Sequence, residues 1–276
     1  MGTSTEISIK QGLSKREALA LTRLAGQNKT VVTITDIEHS VNISYDAAKK
    51  LAHNLVQKKW LDRVKSGTYL IVPLAAGERG EYTEHEFIIA AHLAKPMYIS
   101  YGSALNHYSL TEQVPMTVVA ATTDRVPDRE IHNVQYRFVT LTDTKFFGYE
   151  PVAIGSQQVN IATVEKALVD CADHPEHCGG ITELSKALVN ADSVDYDTLV
   201  GDLLRMGNGA AVKRIVYLAD LHDIELPRRA DLEEAFTTGY SKLDPTRADN
   251  GRHTSDYRLI LNVAEDALQT GRSMDD

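Results

Sequence analysis

The 276-residue sequence predicts an α+β protein in two parts: a small basic module of three helices closed by a β-hairpin, then a larger mixed α+β body. Two observations carry that division. Residues 1–80 hold 12 Lys/Arg against 7 Asp/Glu, a net +5, whereas residues 81–276 hold 17 against 31, a net −14. Such asymmetry within one acidic chain (net −9) points to a basic binding module joined to an acidic body. The second observation is periodicity. Helical spacing ending in a hairpin fills the first 72 residues, strand patterns run from about 116 to 161, and helical spacing dominates from 163. Strands first and helices later fit α+β better than repeated βαβ units.

Composition narrows the setting. At 43% hydrophobic and 24% charged the chain has enough apolar material for a packed core. Its apolar runs fall far short of the roughly 20 residues that a membrane helix needs. Met1 to Lys10 lacks the apolar segment of a secretion signal. Two cysteines suit a reducing compartment, so a cytoplasmic location is expected.

The first helix is set by Ser14 as N-cap, with Glu17 three residues on as its capping-box partner. Ala18, Leu21, Leu24 and Ala25 give it an apolar stripe, and Gly26-Gln27-Asn28 ends it. Val31 to Ile34 is a short β-like run. Thr35 is expected to cap a second helix, with Asp36 and Glu38 favoured in its first turn by the helix dipole. Val41-Asn42-Ile43 forms a turn, and Ser44 caps a third helix running to about Lys59.

At about 100° per residue, Ala47, Ala48, Leu51 and Leu55 share one side of this third helix. Lys49, Lys50, His53 and Gln57 lie opposite, with Asp46 among them, and Tyr45 follows the cap. A recognition helix requires this division, because one face joins a core while the other enters a DNA groove. Trp60 to Val72 then alternates in β fashion on both sides of Lys65-Ser66-Gly67, whose glycine suits a hairpin turn. Arg63 and Lys65 are expected on the outward face of the hairpin, beside Lys58 and Lys59. Three helices closed by a basic hairpin make a winged helix-turn-helix. The expected DNA-contacting residues are Ser44, Tyr45, Lys49, Lys50, His53, Gln57, Lys58, Arg63 and Lys65.

Pro73 to Gly80 loses periodicity and reads as the boundary, giving a winged-helix domain at 1–75 and an α+β domain at 76–276. Beyond it, an amphipathic helix is expected over Glu84–Lys95, stopped by Pro96, and another over Ile99–Tyr108. Strands follow at Met116–Thr122 and Val134–Leu141 around a charged turn, then a hairpin over Val152–Ile161. Helices are expected over Thr163–Ala172, Ile181–Asn190, Asp195–Met206 and Asn208–His222. The last fifty or so residues carry weaker patterns.

Three groups invite chemistry. Cys171, His174, His177 and Cys178 are residue types that zinc favours, yet the spacing matches no common finger. A helix end with a buried Cys171, then a Pro-Glu loop, is the preferred reading, and no metal or cofactor is expected. Gly207-Asn208-Gly209 opens a helix bearing Lys213 and Arg214, which suggests a phosphate cradle. With no preceding strand and no Lys-Ser/Thr ending, a helix–helix turn capped by Asn208 is preferred. Ser103 and His107 stand one helical turn apart without an orienting acid, so no hydrolase and no enzyme is expected.

Further stretches carry a family resemblance. They are Tyr98-Ile99-Ser100-Tyr101-Gly102-Ser103-Ala104-Leu105-Asn106-His107-Tyr108, Leu110 to Pro115, Lys145-Phe146-Phe147-Gly148-Tyr149-Glu150, Glu165 to Cys171 with Pro175-Glu176 and Gly179-Gly180, and Arg205 to Ala210. With the basic module they make residues 14–222 resemble the AbiEi-type antitoxins of abortive-infection (type IV) toxin–antitoxin systems. The resemblance implies a transcriptional repressor that binds inverted repeats of double-stranded DNA in its own promoter through the winged helix. It also implies an antitoxin role against a cognate nucleotidyltransferase-like toxin, without a stable complex, through the C-terminal domain. Family C-terminal domains carry a positive face, from which this domain at −14 departs. Two readings of other classes stand beside it: an enzyme or metal-binding α+β domain targeted by a winged helix, and a protein-interaction adaptor.

Overall fold

The computed structural model describes residues 10–72, 85–112, 116–131, 133–155 and 157–269. The chain is mixed α+β and divides into two compact units. The first holds residues up to Leu93 together with 153–158, and the second holds 94–152 and 159–276. The division thus falls at Leu93 instead of at 75/76; the Pro73–Gly80 stretch lies outside the described residues.

The first unit opens with α1 (Lys15–Gly26), whose Ser14 cap and Glu17 form the expected reciprocal capping box. β1 (Val31–Thr33) leads directly into α2 (Ile34–Val41). Its cap is Thr33, not Thr35: the Thr33 hydroxyl accepts from the Asp36 amide while the Asp36 carboxylate reaches back to the Thr33 amide at 2.7 Å. Asn42 ends α2 in the left-handed conformation (φ 50°), which asparagine tolerates. α3 (Tyr45–Gln57) follows from its Ser44 cap. β2 (Leu61–Lys65) and β3 (Thr68–Ile71) form an antiparallel hairpin across Ser66-Gly67, where Gly67 takes φ 73°. β1 pairs with β3, so the sheet order is β1-β3-β2. The core joins Leu21 and Leu24 of α1, Ile34 and Ile37 of α2, Ala48, Leu51 and Leu55 of α3, and Leu61 and Tyr69 of the hairpin.

α4 (Glu86–Leu93) belongs to this unit and contacts β1 and β2. It is buried on most sides through Phe87, Ile88, Ile89, Ala90 and Leu93. A helix without a polar face is an interior helix, so the element expected to be amphipathic is instead buried on most sides.

In the second unit, β4 (Met97–Ile99), β5 (Thr117–Thr122), β6 (Arg129–Ile131), β7 (Val134–Thr140), β8 (Tyr149–Ile154) and β9 (Gln157–Ala162) form a mixed sheet, ordered β6-β7-β5-β4-β9-β8. The β8–β9 tip, 153–158, groups with the first unit. β5 and β7 run parallel, in register from Thr117↔Gln135 to Thr122↔Thr140. α5 (Tyr101–His107) packs on β5 and on α6 (Val164–Asp173). The expected helix at 99–108 thus begins two residues late, because Met97–Ile99 pairs with both β5 and β9.

α6 is the axis of the helical part and packs on α5, α7 (Ile181–Asn190), α8 (Tyr196–Met206) and α9 (Gly209–Leu221). Its residues Lys166 to Asp173 are all buried. Residues from four of the stretches that carry the family resemblance meet here. Tyr98, Ser100, Phe147 and Met206 surround one buried ion pair, Lys166–Asp170, with Arg205 stacked 3.8 Å from the Phe147 ring centroid. A short helix α10 (Arg229–Glu234), a three-stranded sheet of β10 (Ser241–Lys242), β12 (Leu259–Leu261) and β11 (Arg252–Thr254), and α11 (Glu265–Gln269) complete the unit. Among the described residues no helix is long and apolar enough to cross a membrane.

Candidate nucleic-acid interface

α3 separates its faces as its sequence spacing requires. Ala48, Leu51, Ala52 and Leu55 are buried, and at roughly 1.5–3 kcal/mol per buried leucine this face holds the helix in place. Ala47, expected among them, is half-buried at the edge. Tyr45 (51% exposed), Asp46, Lys49, Lys50, His53, Asn54 and Gln57 are exposed. Asp46, Lys49, Lys50, His53 and Asn54 border one solvent-filled concavity. Ser44 is exposed and spends its hydroxyl on the Ala47 amide at 3.4 Å, so its role is to start the helix.

Among the described residues the side chains of Lys49, Lys50 and Arg63 form no ion pair with a carboxylate. No ion pair ties these cations down, although Asp46 shares the concavity with Lys49 and Lys50, and untied cations are the kind through which phosphate contacts contribute affinity. Arg63 is exposed on β2.

Two of the expected contact residues have protein partners. Lys58 is half-buried and bound to Glu17 at 2.7 Å. Glu17 is itself buried; burial raises its carboxyl, but Lys58 and Ser14 lower it further, and the net shift is downward. Lys58 thus ties the end of α3 to α1. Lys65 is half-buried and its ammonium donates to the Leu93 carbonyl at 3.2 Å. A bulge between Arg63 and Lys65 is the reason: an extra residue in one strand breaks strict alternation. Asp62 and Arg63 both face solvent, Val64 is buried, and Lys65 turns toward α4. Asn54, not expected on this face, joins it. Its position one turn after Lys50 was the available signal.

The other groups resolve as structure. Asn208 caps α9, its side chain accepting from the Ala210 amide at 3.0 Å. Lys213 donates to Thr237 and to the Gly239 carbonyl, and Arg214 to the Ala172 and Leu243 carbonyls, all inside the unit. The two cations that suggested a phosphate cradle are thus committed to protein oxygens. Ser103 accepts from the Val119 amide at 2.9 Å and donates to the Thr117 carbonyl, which anchors α5 to β5. Of the Cys/His cluster, Cys171 and Cys178 are both buried, and the Cys178 thiol donates to the Pro175 carbonyl at 3.4 Å. His174 and His177 come together with Glu176 instead.

No protein-family model and no curated protein matches the sequence. A solved structure, the RV2827C protein from Mycobacterium tuberculosis, is similar over 92% of this chain and 94% of that one, with TM-score 0.59 and 17% identity. At that identity the likeness speaks for the fold alone.

Proposed function

We propose that the protein is a sequence-specific DNA-binding repressor whose first unit is a winged helix, α3 reading the major groove and the β2–β3 hairpin serving as the wing. The carrying observation is the face of α3: Lys49 and Lys50 unpaired, with Tyr45, His53, Asn54 and Gln57 beside them, on a helix whose other face is locked into a core. The cations supply phosphate affinity, and the amides and imidazole offer groups for base edges. Following the AbiEi-type resemblance, the second unit acts as the antitoxin against a nucleotidyltransferase-like toxin, and the repressed operon is the protein's own.

The test is a gel-shift titration of the full chain on DNA carrying its own promoter, repeated over a series of salt concentrations. Lys49→Ala with Lys50→Ala weakens binding on all sequences and flattens the salt slope by about one unit per lost phosphate contact. Wild-type binding by this double variant overturns the reading. Gln57→Ala relaxes sequence preference while leaving the salt slope unchanged.

A further inference from the structure

We propose that His174, Glu176 and His177 form a site for a divalent transition-metal ion of the zinc class, in the acidic unit and independent of the DNA-binding face. α6 ends at Asp173, and the chain at once makes a 3-10 turn, Pro175–His177. That turn draws one ligand atom from each of the three side chains to within 4.8 Å of the others. Two imidazoles and a carboxylate suit zinc and its neighbours, while calcium and magnesium prefer oxygen alone.

The second observation is an orphan. The His177 Nδ1 atom is buried without a hydrogen-bond partner. Buried polar atoms almost always have one, so this nitrogen is an unmet demand within the cluster. His177 is also fixed in orientation, since its ring stands edge-on to buried Tyr101 at 5.3 Å between centroids.

The surroundings are built to hold this turn. The Gly180 amide and the Cys178 thiol both donate to the Pro175 carbonyl, at 2.8 and 3.4 Å. Asp173 is held by Lys145 and Asn208, and lies 3.7 Å from the His174 Nε2 atom. A carboxylate behind a histidine orients the ring and strengthens it as a ligand. His174 Nδ1 and Glu176 Oε1 stand 3.1 Å apart; the metal takes the place of the proton between them.

Three protein ligands leave a fourth tetrahedral position open. Glu176 and His177 border a cleft of about 190 Å³ that Ser103, Thr117 and Arg137 also line. The cleft gives that position an opening to solvent, and Arg137 at its edge is paired with Asp128 at 3.2 Å. Both cysteines are outside the ligand set.

The experiment is a Co²⁺ titration of the chelator-stripped full chain, followed by visible absorption and by competition with Zn²⁺. One equivalent binds, giving the ligand-field bands of a tetrahedral nitrogen/oxygen site, and Zn²⁺ displaces it. His174→Ala and Glu176→Gln, at half-exposed positions that leave the fold intact by circular dichroism, each reduce affinity at least tenfold. His177→Ala abolishes binding, and the metal's stabilising shift in melting temperature is lost with it. Cys171→Ser leaves the bands unchanged. Absence of stoichiometric uptake, equal uptake by His174→Ala and Glu176→Gln, or thiolate charge-transfer bands lost with Cys171→Ser, would each overturn the assignment.

Discussion

Lys166 and Asp170 face each other one turn apart on α6 with neither side chain exposed to solvent, and Asp170 is shared: its other oxygen accepts from Ser100 at 2.7 Å and from Tyr98 at 3.1 Å. The pair joins β4 to α6 at the centre of the second unit. Removing one partner leaves a buried charge with nothing to compensate it, which costs about 3–5 kcal/mol. Asp170→Ala is therefore expected to lower the urea midpoint severely, and the double replacement Lys166→Met with Asp170→Leu to recover most of the loss. A double variant as unstable as the single one would show that the pair is not the source of the effect.

The lysines of the first unit are expected to separate into two classes. Lys58→Ala breaks the contact with buried Glu17 and lowers stability, with little change in salt dependence of DNA binding. Lys65→Ala behaves alike, because its ammonium serves the Leu93 carbonyl. Lys49→Ala and Lys50→Ala do the reverse, weakening DNA binding and leaving stability within about 0.5 kcal/mol of wild type. Salt-dependent gel shifts and thermal melts on the same four proteins decide it.

Acid is expected to loosen the first unit. Glu17 and Asp36 are each raised by burial but lowered more by their lysine and hydroxyl partners, so both carboxyls sit below their ordinary values. A group whose folded-state value is depressed contributes stability above the unfolded value, near 4, and that contribution drains away as the pH falls through the lowered one. Trp60 is the only tryptophan and lies in this unit, its ring nitrogen bonded to the Gln11 carbonyl at 2.8 Å. Urea unfolding followed by its fluorescence should show a midpoint that drops between pH 5 and about pH 3. The drop should be smaller in Glu17→Gln.

Two glycines within helices are expected to respond oppositely to alanine. A Cβ at Gly209 would stand 2.7 Å from the Ala235 carbonyl oxygen and 2.8 Å from the Thr237 amide. These are backbone atoms, so Gly209→Ala costs about 1–3 kcal/mol despite better helix propensity. At Gly201 nothing lies within 4 Å, and Gly201→Ala stabilises by up to about 1 kcal/mol. Calorimetric melting temperatures of the two variants check the signs.

The residues show where sequence reading succeeds. Ser14 with Glu17, and Ser44, act within one turn of chain, so their helix starts are legible from local chemistry alone. The two faces of α3 follow from a single period. What escaped depends on distant partners. Ile99 reads as the start of a helix, yet Met97–Ile99 is a strand because β5 and β9 flank it. Thr33 and Thr35 are equivalent caps on paper, and the pairing of β1 with β3 up to Thr33 selects the former. Lys65 looked like a free cation because a bulge cannot be seen in an alternating pattern. The His174/Glu176/His177 cluster is half legible in sequence: the histidines are visible, but only the 3-10 turn brings Glu176, and neither cysteine, beside them.

The membership of 153–158 in the first unit has a practical sequel. Within that unit the Gln157 side chain donates to the Thr30 hydroxyl at 2.8 Å, across 127 positions of chain. A gene truncated after Leu93 would encode an amino-terminal fragment missing those six residues. Dissection by a single cut thus yields an incomplete piece, and a faithful minimal version would need the loop grafted back through a linker.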